Sequence, residues 1–425
     1  VDMIASIFAT LRVGAAYIPL DPDYPEERLS YILADANVSI VLTQARIAKD
    51  ISFADQQVII VEEAAVNTTE PVVVDSAQKN ALIYAIYTSG STGKPKGASV
   101  YQHSFSNLIA WYADALDMNG SSRSILISSI GFDLTQKNIF ANLCHGGSLV
   151  LPELSHYEPE LVADLILQHQ VQSVNCAPSM LYPLAETYSE KLSSLRYAVL
   201  GGEAIQMPRL LSWLQQEGCV AQIVNSYGPT ECTDVVAAFT VTAPQAYEQA
   251  SPPIGSAIAN VSLYVLNAEQ QLVPDGVCGE IVIAGVCVGA GYMGQPELTE
   301  QSFISLPFAP SIRAYRTGDL GRRLADGTIE YMGRLDFQVK LRGLRIELGE
   351  IEVALSQLES VADTTVLVKH DQLVAYVVSD DFDPAQARQS LLKVLPDYMV
   401  PMQYVALSDM PLNAHGKVDR KALPE

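Results

Sequence analysis

The sequence has 425 residues, of which 49% are hydrophobic and 17% are charged. A chain of this length and composition can bury a large core over two or three domains or subdomains, which excludes a largely disordered protein. Its 26 basic and 48 acidic residues give a formal net charge of −22. We therefore expect neither nucleic acid nor membrane as a partner, because sequence-independent binding to either requires clustered cations.

Residues 1–335 alternate short β-rich runs with helical patterns, which predicts α/β layers with mostly parallel strand pairing. The predicted helices cover residues 4–11, 105–116, 161–169 and 208–216. The predicted strands cover residues 38–42, 58–61, 81–87, 124–127 and 222–224. A further strand pair is predicted at residues 263–266 and 280–283, with a turn at Pro274-Asp275-Gly276 between them.

Basic residues become dense just after residue 333, at Arg334, Lys340, Arg342 and Arg345. The remaining chain has its own pattern, with a predicted helix at 350–358 and predicted strands at 365–368 and 373–377. We expect a large α/β subdomain over residues 1–335 and a small mobile α+β subdomain over residues 336–425, with the boundary at Asp336.

Six scattered cysteines form no CxxC pair, which predicts neither a disulfide framework nor a zinc site. This pattern is typical of a reducing compartment, and we expect a cytoplasmic protein. No signal peptide is visible, and the chain starts directly in an amphipathic pattern at Val1. From that start we expect a fragment of a longer polypeptide.

Residues 87–97, YTSGSTGKPKG, place glycines, hydroxyls and two lysines directly after a predicted strand. Glycines allow backbone N–H groups to turn toward an anion, and hydroxyl and ammonium groups add donors and charge. This composition predicts a loop that grips a polyphosphate, although a flexible surface loop is the plain alternative. The Walker A pattern is absent, so a P-loop kinase is not indicated.

Several further motifs follow in a fixed order: LRVGAAYIPLD (11–21), FDLT (132–135), NSYGPTE (225–231), YRTGDL (315–320), GRLDFQVKLRGLRIELGEIE (333–352), LPDYMVP (395–401) and GKVDR (416–420). With this set the whole chain resembles an adenylation domain of a nonribosomal peptide synthetase, in the superfamily that includes acyl-CoA synthetases and luciferase. The resemblance implies that an amino acid and ATP give aminoacyl-AMP and pyrophosphate. The acyl group would then pass to a phosphopantetheine thiol on a downstream carrier domain.

The resemblance also implies ATP and Mg²⁺ as cofactors, a neighbouring condensation domain, and room for a small helper protein. The family's opening motif, about a hundred residues upstream, is missing, so we expect part of the large subdomain's first sheet to be absent.

By this resemblance the nucleotide site draws on five stretches of the chain. Asn225 would meet the adenine edge and Tyr227 would stack on the base. Thr230 would bond the α-phosphate and Glu231 would hold Mg²⁺, whose preferred ligands are oxygens. For these residues a plain strand-end turn is the alternative. The remaining nucleotide residues would be Thr88, Ser89, Gly90, Ser91, Thr92, Gly93, Lys96, Gly202, Glu203, Ala204, Gly228, Asp319 at the ribose, and Arg334.

Lys417 matches the family's catalytic lysine. An ammonium at this place would offset the repulsion between the substrate carboxylate and the α-phosphate, and would stabilise the charge that develops on phosphorus. Asp336 matches the hinge about which the small subdomain turns between the two half-reactions. Lys340 and Gly343 lie in the stretch that would face the site during thioester formation.

Asp133 matches the residue that pairs with the substrate ammonium, although a helix cap is the alternative for an Asp at this place. The side-chain pocket implied by the resemblance consists of Leu134, Lys137, Asn175, Val199, Gly201, Ser226, Asp234 and Val235. Half of these residues are polar, and buried polar groups need partners. We favour a polar substrate such as Gln, Glu or Asn; alternatively, Lys137 and Asp234 pair with each other and leave room only for Gly or Ala.

Two other functions remain open. An acyl-CoA or aryl-acid CoA ligase would share the fold, but Asp133 argues against it. A catalytically silent binding module would not need Lys417, Glu231 and Asp319 together.

Overall fold

The computed structural model describes residues 1–49, 51, 53, 56–64, 80–90, 93–153, 157–379, 381–412 and 418–424. Its helices are α1 (Asp2–Arg12), α2 (Glu26–Asp35), α3 (Val61–Ala64), α4 (Gln102–Ala115), α5 (Asp133–Cys144), α6 (Pro159–His169), α7 (Pro178–Thr187), α8 (Pro208–Leu214), α9 (Pro296–Ser302), α10 (Leu348–Ser356) and α11 (Pro384–Val394). In this part of the chain no helix is long and apolar enough to cross a membrane.

The first eleven strands are β1 (Ile40–Thr43), β2 (Gln57–Ile60), β3 (Leu82–Thr88), β4 (Lys96–Tyr101), β5 (Arg123–Ile125), β6 (Ser148–Val150), β7 (Ser173–Cys176), β8 (Tyr197–Gly201), β9 (Gln222–Tyr227), β10 (Ala237–Val241) and β11 (Ser256–Ala257). The others are β12 (Val261–Leu266), β13 (Gly279–Gly285), β14 (Gly291–Tyr292), β15 (Phe303–Leu306), β16 (Ala309–Arg323), β17 (Ile329–Arg334), β18 (Val339–Leu341), β19 (Leu344–Ile346), β20 (Asp363–Lys369), β21 (Gln372–Val378) and β22 (Gln403–Leu407).

We call residues 1–335 the large lobe and residues 336–425 the small lobe. The centre of the large lobe is a seven-stranded sheet in the order β11-β10-β9-β8-β7-β5-β6. Strands β6, β5, β7, β8 and β9 are parallel, as the alternating pattern predicts, and β10 pairs with β9 antiparallel. The inner strands are short and largely buried, as is usual for a parallel sheet with helices on its faces. The α/β fold predicted from the sequence is confirmed.

Three smaller sheets are described in the large lobe besides the central one, and the first is the parallel pair β1 and β2. Strands β3 and β4 form an antiparallel pair with β14 beside β4, and they carry the glycine-rich loop at their turn. Strands β12, β13, β16 and β15 form an antiparallel sheet with β17 beside β16. The predicted strand pair at 263–266 and 280–283 is present in it, since Leu263 pairs with Ile283.

The small lobe has a hairpin and a three-stranded sheet. In the hairpin, β18 and β19 are joined by Arg342 and Gly343, both with positive φ (53° and 75°), which is the geometry of a tight two-residue turn. Strand β21 lies between β20 and β22, and α10 and α11 pack against this sheet around a core that includes Ile351 and Leu391. Pro384 and the Asp383 carboxylate, which accepts from the Ala385 N–H at 2.8 Å, fix where α11 begins.

Candidate active site

The carboxyl ends of β7, β8 and β9 meet at one edge of the central sheet. Asn175 pairs in register with Val199, and Gly201 pairs with Ser226. In an open parallel sheet, ligands bind in the crevice outside these strand ends. The structure therefore brings together residues that lie up to about fifty positions apart in the sequence. Gly201 has to be small here, because a Cβ would come within 2.7 Å of the Ser226 hydroxyl.

A buried ion pair fills one side of this edge. The Lys137 ammonium lies 2.5 Å from the Asp234 carboxylate, and the Lys137 side chain is fully buried. The backbone at Asp234 has a φ of 67°, which turns its carboxylate back toward α5. Burial raises the pKa of Asp234 to about 6; Lys137 opposes this shift, and the nearby Asp133 charge adds to it.

A network of amides surrounds Asn175. Its Nδ2 donates to the Leu134 carbonyl at 3.1 Å and to Oδ1 of Asn138 at 3.0 Å, and the Tyr112 hydroxyl donates to the same Oδ1 at 3.4 Å. Oδ1 of Asn175 is buried without a hydrogen-bond partner among the described residues. Neither Asn138 nor Tyr112 was predicted as a site residue; the one available signal was that Asn138 directly follows the predicted pocket residue Lys137 in the sequence.

Asp133 is the first residue of α5 and is half-buried. Its carboxylate accepts from the N–H of the next residue, Leu134, at 2.8 Å, while Phe132 occupies the cap position without a side-chain bond. Asp133 is therefore not the N-cap residue of α5, which was the alternative role considered for it. The predicted pocket residues Val199 and Val235 are both 1% exposed and belong to one buried cluster.

The glycine-rich loop leaves β3 at Thr88 and returns to β4 at Lys96. At Gly90 a Cβ would lie 2.0 Å from the Lys94 carbonyl, so only glycine fits this turn. The Thr88 hydroxyl is buried without a partner among the described residues. Ser91 and Thr92, predicted to bind phosphate, lie outside the described residues.

Glu231 is the centre of a buried charge cluster. Its carboxylate accepts from Arg345 of the small lobe at 2.7 Å and from the Tyr292 hydroxyl at 2.7 Å, and the Lys96 ammonium lies 3.4 Å away. Burial alone would raise the pKa of Glu231, but Arg345, Lys96 and the Tyr292 hydrogen bond hold it well below its usual range. Burial and the Arg345 charge lower the pKa of Lys96. The sequence reading gave Tyr292 no role.

Asp319 lies between a tyrosine and an arginine. The Tyr227 hydroxyl donates to one oxygen of Asp319 at 2.6 Å, and Arg334 donates to the other. Arg334 also bonds Asp336 at 2.6 Å, so the predicted hinge residue is tied to the predicted ribose residue through one guanidinium. The Lys340 ammonium stands 5.6 Å from the centre of the Tyr227 ring, and burial lowers its pKa.

The small-lobe hairpin contacts the large lobe at Glu203. The Gly343 N–H donates to this carboxylate at 2.5 Å, and the Ser179 N–H donates to its other oxygen at 3.1 Å. Both glycines at the contact have positive φ, Gly202 at 86° and Gly343 at 75°. A Cβ on Gly343 would come within 2.5 Å of the Ala177 methyl group, so the two lobes touch here almost backbone to backbone.

The remaining predicted nucleotide residues lie around the same edge. Asn225 donates from its side chain to the carbonyls of Pro253 at 2.8 Å and Pro252 at 3.2 Å. At Gly228 a Cβ would lie 2.1 Å from the Asp234 carbonyl. Thr230 is buried one residue before Glu231, and Ala204 follows Glu203 in the loop after β8.

Lys417, predicted as the catalytic lysine, lies outside the described residues. Within the part of the chain that the structure describes, no cluster of three His, Cys, Asp or Glu side chains could bind a metal ion.

Comparison with known proteins gives one family. The model for the AMP-binding enzymes matches residues 1–293. Tyrocidine synthase 3 of Brevibacillus parabrevis is 40% identical over all of this chain, which spans 7% of that protein. Surfactin synthase subunit 1 of Bacillus subtilis (strain 168) is 37% identical over 99% of this chain, which spans 12% of that protein.

Two solved structures share the fold over nearly the whole chain. One is a nonribosomal peptide synthetase protein with adenylation and PCP domains, in complex with a vinylsulfonamide inhibitor. It is 27% identical, with a TM-score of 0.87, covering 99% of this chain and 73% of that one. The other is a four-domain nonribosomal peptide synthetase bound to AMP and glycine. It is 33% identical, with a TM-score of 0.70, covering 100% of this chain and 32% of that one.

Proposed function

The chain belongs to the family of AMP-binding enzymes, and from this premise we propose that it is an amino-acid-adenylating ligase of the nonribosomal peptide synthetase type that works in two steps. First, a carboxylate oxygen of the amino acid attacks the α-phosphorus of ATP, and the bond to the β-phosphate breaks to release pyrophosphate. Second, the thiol sulfur of a phosphopantetheine arm attacks the acyl carbon, and AMP leaves.

One observation carries the proposal. Ser226 and Tyr227 are consecutive residues at the end of β9; Ser226, a predicted pocket residue, pairs with Gly201, and the Tyr227 hydroxyl donates to the predicted ribose residue Asp319. We propose that this strand end lies between two compartments, one for the amino acid and the other for the nucleotide. The acyl carboxylate and the α-phosphate would meet between them, which is the proximity that a condensation requires.

Mg²⁺ fits the donors at Glu231 once Arg345 withdraws. A fully buried carboxylate beside Lys96 offers one oxygen ligand to a cation that usually keeps phosphate and water ligands as well. When bound, the ion would neutralise charge on the phosphates. Lys96, the N–H groups of the glycine-rich loop and Thr230 would hold those phosphates, and Asp319 would accept from the ribose hydroxyls.

We propose a small amino acid, Gly or Ala, as the substrate, which is the second of the two options left open by the sequence. The 2.5 Å contact between Lys137 and Asp234 supports it, because each group already satisfies the other inside the pocket. Asp133 would take the substrate ammonium. The charge balance supports this role of Asp133. The carboxylates of Asp133 and Asp234 outnumber the single ammonium of Lys137, so the proposed pocket has a net negative charge that favours a cationic group of the substrate.

A polar substrate remains the second candidate, on one observation. Oδ1 of Asn175 is a buried acceptor without a partner among the described residues, and an unmade buried hydrogen bond is costly. The side-chain amide of Gln or Asn could donate to it. The preference for Gln, Glu or Asn made from the sequence therefore stays a prediction, with the carboxylate of Glu the weakest match beside Asp234.

Amino-acid-dependent exchange between ATP and pyrophosphate, run with all twenty amino acids and with fatty and aryl acids, tests the proposal. We expect exchange with Gly or Ala, and we expect Lys137→Ala combined with Asp234→Ala to move the preference toward larger side chains. Exchange with acyl or aryl acids alone would instead indicate a CoA ligase. ATP binding without any exchange would indicate a silent binding module.

The partners are part of the same proposal. We propose a downstream peptidyl carrier domain as the acceptor of the acyl group and a neighbouring condensation domain as its next user. The six cysteines are all free, which fits the predicted cytoplasmic location.

A further inference from the structure

The glycine-rich loop is held by three groups of the small lobe. The Gly90 N–H donates to Oε2 of Glu350 at 3.1 Å. The Ser89 hydroxyl donates to the Arg345 carbonyl at 2.9 Å and accepts from the Glu347 N–H at 3.1 Å. Ser89 and Gly90 are the loop residues that we propose to bind phosphate oxygens. In the structure they instead contact the Glu350 carboxylate and two backbone groups of the small lobe, at the place where a phosphate would bind.

The Glu350 carboxylate is built into this position. Its side chain is 2% exposed, and its second oxygen accepts from the Arg28 guanidinium at 2.8 Å, which is equally buried. Arg28 lies on α2 of the large lobe, more than three hundred residues away in sequence. Because a buried charge needs a partner, the Arg28 guanidinium holds the Glu350 side chain in place against the loop.

The fit around the loop is close. Gly93 has a φ of 79°, and a Cβ there would lie 2.9 Å from a methyl group of Val353. Val353 is on the same helix as Glu350, one turn further along α10. The helix therefore contacts both the start and the end of the described loop residues.

We propose that Glu350 competes with pyrophosphate, and with the β- and γ-phosphates of ATP, for the Gly90 N–H. The proposal rests on the proposed function, because it assumes that this loop binds those phosphates. One N–H cannot serve two anions, and a carboxylate at this point also repels a phosphate. The small lobe can therefore dock as described here only after pyrophosphate has left, and Glu350 is the positioning residue that makes the two events exclusive.

This competition has a measurable signature. The apparent affinity for pyrophosphate is the intrinsic affinity reduced by the fraction of molecules in which the loop is free. Removing the charge of Glu350, or the Arg28 that holds it, raises that fraction. Both changes should therefore tighten the binding of pyrophosphate, although both also remove a buried ion pair and lower stability.

The experiment measures the KM for inorganic pyrophosphate in amino-acid-dependent exchange for the wild type, Glu350→Gln and Arg28→Met. Glu359→Gln, an exposed carboxylate on the same lobe, is the matched control. We expect the KM for pyrophosphate to fall by up to about tenfold in the first two variants, with kcat little changed, and to stay at the wild-type value in the control. Folding of each variant is checked by its melting temperature.

The outcomes separate the two proposals. No exchange by the wild type with any amino acid would contradict the proposed function itself. Wild-type exchange with an unchanged or higher KM for pyrophosphate in folded Glu350→Gln would overturn the competition and leave Glu350 a purely structural residue. If Glu350→Gln does not fold, Arg28→Met gives the same decision, because it leaves the carboxylate in place but loosens its position.

Discussion

Glu231 of the large lobe and Arg345 of the small lobe form a buried ion pair at 2.7 Å, at the point where the glycine-rich loop meets the end of β9. Glu231 is fully buried, and its remaining contacts are with Lys96 and Tyr292. The hairpin that carries Arg345 thus occupies the same carboxylate that we propose for Mg²⁺. The lobe orientation described here is one in which that carboxylate is neutralised by protein.

Arg345→Met should destabilise the protein by about 3 kcal/mol, since it leaves the buried Glu231 with too little positive charge. The free energy of unfolding from urea titration measures this. Arg388→Met is the matched control, because its partner Asp397 is largely exposed and such pairs contribute about 0–1 kcal/mol. Equal losses for the two variants would contradict the central place given to the Glu231–Arg345 pair.

The contribution of Asp234 to the free energy of unfolding should fall as the pH rises from about 4 to about 6. Its pKa is raised by burial to about 6 in the folded protein, so the folded state binds the proton more tightly than the unfolded state does. The stabilisation is complete below the unfolded pKa and is lost as the pH rises through 6, to the extent of roughly 2–3 kcal/mol. Urea unfolding across this range measures the fall when the wild type is compared with a variant that lacks this carboxyl group.

The variant Asp234→Asn isolates the pH-dependent contribution of Asp234 to the free energy of unfolding. The asparagine carries no proton to release, so the difference in unfolding free energy between the two proteins should change across pH 4–6 and be flat above pH 7. A constant difference would show that Asp234 titrates normally. Two charged neighbours affect the pKa of Asp234: Lys137 lowers it and Asp133 raises it. Both neighbours remain in the variant.

The sequence predicted the layers of this fold well and the contacts of the site only in part. Strands β3, β5 and β9 lie where short apolar runs predicted strands, at residues 81–87, 124–127 and 222–224, and such patterns are local information. Strand β5 ends at Ile125, two residues earlier than predicted. A strand ends where the adjacent strand no longer supplies hydrogen bonds, and the length of an apolar run in the sequence gives no information about that pairing.

The contacts between distant residues were not predictable from the sequence. Whether Lys137 meets Asp234 or a substrate depends on the positive φ of Thr233 and Asp234, a conformation that no local pattern requires of these residues. The pairing of Glu350 with Arg28 likewise joins two ends of the chain. Motifs identify such residues individually, but only the folded chain decides which of them are partners.

Asp319→Asn should raise the KM for ATP by about tenfold and change kcat little, because it removes a charged acceptor for the ribose hydroxyls. The Tyr227 hydroxyl and Arg334 already hold this carboxylate in position. Asp275→Asn is the control, since its ion pair with Arg323 is exposed. An unchanged KM for ATP in Asp319→Asn would remove Asp319 from the nucleotide site.

Lys417→Ala should lower kcat of exchange by about a hundredfold or more while the binding of an ATP analogue is retained. The reason is electrostatic: the ammonium is expected to act on charge that is present only in the transition state. Lys421→Ala, a nearby lysine outside the motif roles, is the control. A loss of ATP-analogue binding equal to the loss of kcat would make Lys417 a binding residue instead.

Gly343→Ala should block the second half-reaction and spare the first. A Cβ at residue 343 would lie 2.5 Å from the Ala177 methyl group, and the φ of 75° is unfavourable for any other residue, so the hairpin could not dock against Glu203 as it does here. Under the proposed competition, pyrophosphate exchange takes place with the hairpin undocked. Transfer to a carrier-bound thiol is the step in which the hairpin is expected to face the site, so this step should require the docking. Gly327→Ala has the same backbone strain (φ 87°) without any atom within 4 Å of its Cβ, so it separates strain from docking. Thiol loading that stays normal in Gly343→Ala, or falls equally in Gly327→Ala, would contradict a role for the hairpin in that step.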